Sequence, residues 1–178
     1  MPSKIMIVRH AEKPIPGRIQ GVRQRGELDD CSLSVRGWQR AGALIRFFLQ
    51  PDAPGIAVPT HLMSAGYDRS DSGGSRRSRQ TLLPLAQAMA VSIDDRLTKN
   101  QEPKAAERCH ALDGVVLIAW HHECIPALAA AIAPKTVVPG KWPEDCFDRV
   151  WVFEPVRGGW SFQQVPQRLL AGDAATAT

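Results

Sequence analysis

The sequence predicts one α/β domain, a three-layer α/β/α sandwich with a mostly parallel central sheet. Three observations lead there. Val115, Val116, Leu117, Ile118 and Ala119 form an unbroken apolar run, as strands buried on both faces do. Residues 35–49 carry Ala41, Leu44, Ile45 and Phe48 at helical spacing behind Ser34, a good N-cap. Strand-like and helix-like segments then alternate along the chain, which covers a sheet on both faces. The 178 residues suit one domain, since domains usually hold ~100–200. Its expected extent is residues 1–170, with 171–178 as a flexible tail.

In chain order, residues 4–8 are apolar and rich in β-branched side chains, so they read as a strand ending at Arg9. Residues 14–30 hold Gly, Pro and charge and read as a loop. The helix of residues 35–49 is ended by Pro51, Pro54 and Gly55. Residues 58–64 read as a second strand, 65–75 as a Gly/Ser/Asp loop, 77–89 as a helix and 91–93 as a third strand. The run at 114–120 is followed by an Ala-rich helix at 125–132. Residues 149–153 and 160–165 read as late strands joined through Gly158 and Gly159.

Composition excludes several classes. A hydrophobic share of 44% is too high for a disordered chain. The net charge of +4 is modest and its cations are scattered apart from Arg76, Arg77 and Arg79, so no nucleic-acid partner is expected. No apolar run approaches the ~18 residues of a membrane span, and the N-terminus shows no basic leader with a long apolar stretch behind it. Cys31, Cys109, Cys124 and Cys146 are widely spaced without a CxxC pair, which favours reduced thiols and a cytoplasmic setting. No His/Cys/Asp cluster has metal-ligand spacing, so neither metal nor cofactor is expected.

The chemistry lies just past two strand ends. Ligands of open α/β sheets bind beyond the carboxyl ends of strands, and Arg9-His10 and His121-His122 both stand there. A neutral imidazole is a competent nucleophile toward phosphorus, and a neighbouring guanidinium forks onto two phosphoryl oxygens. Alone, an Arg-His pair more often just ends a strand; its context changes the reading.

The run Arg9-His10-Ala11-Glu12-Lys13 after an N-terminal strand resembles the signature of the histidine phosphatase, or phosphoglycerate-mutase-like, superfamily. Three further segments resemble it in the same order: Leu33 to Ala41, matching L-[ST]-x-x-G-x-x-[QR]-A; Arg77 to Thr81, matching R-A-x-Q-T apart from Ser78; and Val116 to Leu128, matching the second-histidine strand and helix. The resemblance implies a phosphoglycerate-mutase-like fold and a phosphate pocket built from Arg9, His10, Arg77 and a histidine at 121 or 122. Two arginines and a second imidazole would neutralise the transferring phosphoryl group, each such donor being typically worth ~3–4 kcal/mol in a dry site. The common family spacing selects His121. A W-x-H-x-x-I-P pattern of short members selects His122, which is preferred because Ile125-Pro126 fits it fully; His121 is then a wall residue or a core polar group with its own partner.

A general acid is worth ~10²–10⁴-fold with a poor leaving group. Larger members carry a Glu after the third strand; here the stretch Asp94 to Glu102 departs from that pattern, leaving Glu102 as the acid if its loop folds back. Glu123, just after the histidine pair, is the rival acid and a substrate-binding candidate, while Glu12 reads as a helix-start or pocket-orienting residue and is the third candidate acid. An absent acid implies a good leaving group, such as phosphohistidine or an acyl phosphate. The implied activity is hydrolysis of a phosphorylated small molecule or phosphoprotein through phospho-His10. The alternatives are a mutase-type transfer and a non-catalytic phosphate-binding domain. Selectivity is expected in the loops at 14–30 and 65–75, and residues 142–148 are expected only to order the approach to the next strand.

Overall fold

In the computed structural model, which describes residues 1–67 and 74–175, period-two alternation in the central strands sorts the core into two layers. The elements run β1 (Pro2–Arg9), α1 (Val35–Leu49), β2 (His61–Ser64), α2 (Arg77–Met89), β3 (Ile93–Asp94), α3 (Glu102–His110), β4 (Gly114–Trp120), α4 (Ile125–Ile132), β5 (Arg149–Val156) and β6 (Gly159–Pro166). Ile5 and Ile7 of β1 join Val116, Ile118 and Trp120 of β4 against α3 and α4. Met6 and Val8 join Leu117 and Ala119 on the opposite face, against Leu44, Phe47 and Phe48 of α1 and Leu82, Leu85 and Ala86 of α2. The result is the expected α/β/α sandwich, because a strand buried on both faces must be apolar at odd and even positions alike.

The six strands lie in the order β3-β2-β4-β1-β5-β6. β3, β2, β4 and β1 are parallel to their neighbours, whereas β5 pairs antiparallel with β1 and β6 antiparallel with β5. The sheet is thus mixed, parallel through its centre. Gly158, at φ +88, sits in the tight turn between β5 and β6, a conformation that suits glycine.

Three differences from the sequence reading stand out. α3 was not expected: Pro103 in its first turn, acidic Glu102 at its start and basic Arg108 and His110 at its end all favour a helix, but its buried stripe is only Ala105, Ala106 and Cys109. So small an apolar stripe leaves little periodicity to read. The third strand is only Ile93–Asp94, pairing with Leu62 and Met63 at the sheet edge. The expected flexible tail is anchored as far as residue 174: Arg40 donates to both carboxylate oxygens of Asp173 at 2.9 and 2.7 Å, and Ala174 N donates to Asp148. Of the expected loop 65–75, residues 68–73 lie outside the described residues, as do 176–178 of the tail.

Candidate active site

β1 and β4 are adjacent and parallel, with Val8 opposite Ala119 and Arg9 opposite Trp120. His10 N donates to Trp120 O at 3.1 Å, carrying the ladder one step past the strand end. Continuing the alternation puts His10 and His121 on the α1/α2 side, in line with Val8 and Ala119. Their rings meet edge to face, with centroids 5.8 Å apart.

His10 is 3% exposed, and its Nδ1 lies 2.8 Å from Ala11 O. A carbonyl only accepts, so Nδ1 carries the proton and Nε2 keeps its lone pair. Burial holds the His10 pKa well below the usual imidazole range; the charges of Arg9, Arg77 and His121 push the same way, against the Ala11 hydrogen bond. His10 is therefore neutral at pH 7.

The turn after His10 is clamped from two helices. Ala11 N donates to Thr81 Oγ1 at 2.8 Å, and Thr81 Oγ1 donates to Arg77 O at 2.8 Å, one turn back in α2. Ser34 donates to Glu12 O through both its N and its Oγ, and that Oγ also accepts from Gly37 N to cap α1. Gly37 is required by this approach, since a Cβ there would stand 2.5 Å from Glu12 O. Gln80 ties α2 to the same region, accepting from Leu33 N at 2.9 Å.

Arg9 is 1% exposed and points to the other face, as its parity requires. Its Nη1 donates to Glu144 O, with Pro143 O and Cys146 O each at 3.4 Å, and its Cζ lies 3.9 Å over the Phe147 ring. Burial lowers its pKa to about 10, against the pull of Cys146, Glu144 and Glu123, so it stays cationic. Residues 142–148, expected only to lead into a strand, thus hold Arg9 in place. Arg77, the first residue of α2, is half-buried and donates from Nη1 to Asp30 O at 3.2 Å; burial lowers its pKa too.

What these groups leave open defines the site. Arg9 Nε and Nη2, Arg77 Nε and His122 Nδ1 are buried without a hydrogen-bond partner among the described residues. Three orphaned guanidinium donors near a buried neutral imidazole are the donor set for an oxyanion. His122 Nδ1 lies 2.9 Å from Glu123 Oε2, off the angle a hydrogen bond needs. Burial and the Arg9 charge lower its pKa, against Glu123. The structure thus brings His121, not the preferred His122, against His10. His122 stands nearby on the turn into α4, where His121 O accepts from Cys124 and Ile125.

The three candidate acids are committed elsewhere. Glu102 is not brought to the site: its Oε1 accepts from Trp120 Nε1 and Asn100 N, each at 3.0 Å, because it opens α3 beneath β4 instead of lying on a loop that folds back. Burial raises its pKa, but those bonds outweigh it and hold the carboxyl ionised. Glu12 accepts from Arg40 Nε at 3.1 Å and Nη2 at 2.8 Å, and from Arg36 Nε at 3.2 Å. Glu123 pairs with Lys99 Nζ at 2.7 Å; burial pushes its pKa up, yet Lys99 and His121 bring it down to about 2. Among the described residues no group of three or more His, Cys, Asp or Glu is placed to hold a metal. Sequence reasoning missed Thr81 and Arg40 as anchors of the His10 turn and Phe147 beneath Arg9. The signals were the Q-T of the Arg77 motif for Thr81 and the [QR] position of the Leu33–Ala41 motif for Arg40; Phe147 had none.

No family model matches the sequence, and no curated protein matches it. Among solved structures the chain is similar to the protein histidine phosphatase SixA complexed with tungstate, at 14% identity and a TM-score of 0.60, covering 92% of this chain and 97% of that one. It is also similar to a phosphoglycerate mutase from Plasmodium falciparum, at 11% identity and a TM-score of 0.51, covering 98% of each. Identities this low speak to the fold. The chain has a phosphoglycerate-mutase-like fold, one it shares with both of these structures.

Proposed function

We propose that the protein is a phosphatase that passes a phosphoryl group through Nε2 of His10. One observation carries the reading: a buried imidazole, its Nδ1 proton given to Ala11 O, stands beside Arg9 Nε and Nη2 and Arg77 Nε, which have no partner among the described residues. The Nε2 lone pair forms the N–P bond while the electron pair of the scissile bond leaves with the organic group. Water then attacks phospho-His10, releasing phosphate and returning the electron pair to Nε2. Arg9, Arg77 and the His121-His122 pair offset the charge on the transferring oxygens. The oxyanion in the SixA complex, tungstate, is a tetrahedral analogue of phosphate and fits this reading.

The state of the carboxylates favours leaving groups that depart without help. Glu123 is held ionised by Lys99, and Glu12 and Glu102 are spent on structural bonds. An acyl phosphate or a phosphohistidine fits such a site better than an alkyl phosphate does. The same lack of a free carboxyl donor among these three groups weighs against a mutase that must rephosphorylate an alcohol. The free thiols of Cys109, Cys124 and Cys146 support the expected reducing, cytoplasmic setting. Among the described residues no helix is long and apolar enough to cross a membrane.

Acetyl phosphate and p-nitrophenyl phosphate provide the test. Intact-mass measurement at alkaline pH should find one phosphoryl group on the protein, located at His10. His10→Ala should lose it and lower turnover on the order of 10⁴-fold or more. Full activity in that variant would overturn the reading.

A further inference from the structure

We infer that a groove formed by Ile15, Ile19 and Phe147 binds the apolar organic part of the phosphoryl substrate, beside the pocket at His10. The inference rests on the phosphatase reading and adds the class of group the phosphoryl centre carries. Ile15 N donates to Ile19 O at 2.8 Å and Ile19 N to Ile15 O at 2.9 Å, closing a tight turn through Gly17 at φ +70. The two bonds hold the isoleucines side by side although they are 44% and 46% exposed. Single exposed apolar residues are ordinary, but a backbone-locked pair facing an aromatic ring makes a patch.

Phe147 joins this patch to the site. Half-buried, it lies 3.9 Å from Arg9 Cζ and has its ring centroid 6.3 Å from that of His10, while it also lines the groove. The cavity measures about 540 Å³, within the ~300–1,000 Å³ of small-molecule pockets. The charges along its rim are largely paired, Lys13 with Glu144 at 3.4 Å and Arg36 with Glu12 at 3.2 Å. With those charges matched, the groove favours an apolar group over an ionic one. A ligand anchored by its phosphoryl oxygens at Arg9 and Arg77 would reach this groove across Phe147 with an aryl-sized substituent.

Two non-hydrolysable probes test this on the intact protein: 1-naphthylmethylphosphonate and methylphosphonate, titrated by calorimetry. The naphthyl compound should bind about tenfold more tightly. That preference should vanish in the double variant Ile15→Ser/Ile19→Ser and shrink in Ile19→Ala, with folding checked by circular dichroism. Equal affinities in the unaltered protein, or a preference that survives both changes, would overturn the groove while leaving the phosphoryl pocket standing. If neither phosphonate binds and no phosphoenzyme forms, the phosphatase reading fails and the groove's role falls with it.

Discussion

The turn that carries His10 and the segment that carries the Arg9 guanidinium are held by different kinds of bond. Around His10 the partners are side chains: Thr81 accepts from Ala11 N, Ser34 donates to Glu12 O, and Arg40 grips the Glu12 carboxylate. Around Arg9 the partners are main-chain carbonyls of residues 143, 144 and 146, with one ring, Phe147, beneath. A side-chain partner demands a particular residue, whereas any residue supplies a carbonyl. The first region therefore writes itself into the sequence as a motif, and the second does not.

The largest expected effect lies in the first region. Arg40 is buried between Glu12 and Asp173, so Arg40→Ala removes the main cation from two buried carboxylates, leaving Glu12 to Arg36 and Asp173 to the Leu169 and Leu170 N–H groups, and should cost ~3–5 kcal/mol of stability in urea unfolding. A loss below ~1 kcal/mol would mean that the clamp on the His10 turn does not depend on this cluster. Next comes Thr81→Val, which keeps the shape but strands the Ala11 N–H; it should cost ~1–3 kcal/mol and slow phosphoenzyme formation. The smallest effect belongs to the second region. Glu144→Ala keeps the carbonyl that Arg9 uses and removes only a loose, exposed pair with Lys13, so stability should stay within ~0.5 kcal/mol. A loss comparable to that of Thr81→Val would show that the Glu144 side chain, too, holds Arg9.

The same contrast explains how far the sequence could be read. Helices α1, α2 and α4 and strand β4 fall where periodicity and capping put them, because each buries a strong apolar stripe. α3 escaped because two alanines and a cysteine bury it. Arg9, His10 and Arg77 were visible through motif order. The choice between His121 and His122 was not, since two spacing patterns pointed to different residues and strand register decides between them: with Arg9 opposite Trp120, His121 is the next position abreast of His10. Register is a pairing between distant segments, which a motif within one segment does not encode. Glu102 drew attention by its charge, yet burial and Trp120 gave it a structural task. Phe147 had no pattern around it, because its role comes from where the carbonyl-lined segment 143–146 meets the end of β1.

The Arg40 cluster also has a consequence in time. Its second carboxylate, Asp173, lies 133 residues beyond Arg40. At a synthesis rate of ~5–20 residues per second, roughly 7–27 s separate the two leaving the ribosome. Through that interval Asp173 is not yet available to Arg40, so the turn bearing His10 can gain only the Glu12 half of its charge lock. Full bracing of the turn that bears His10 thus waits for residue 173 to emerge.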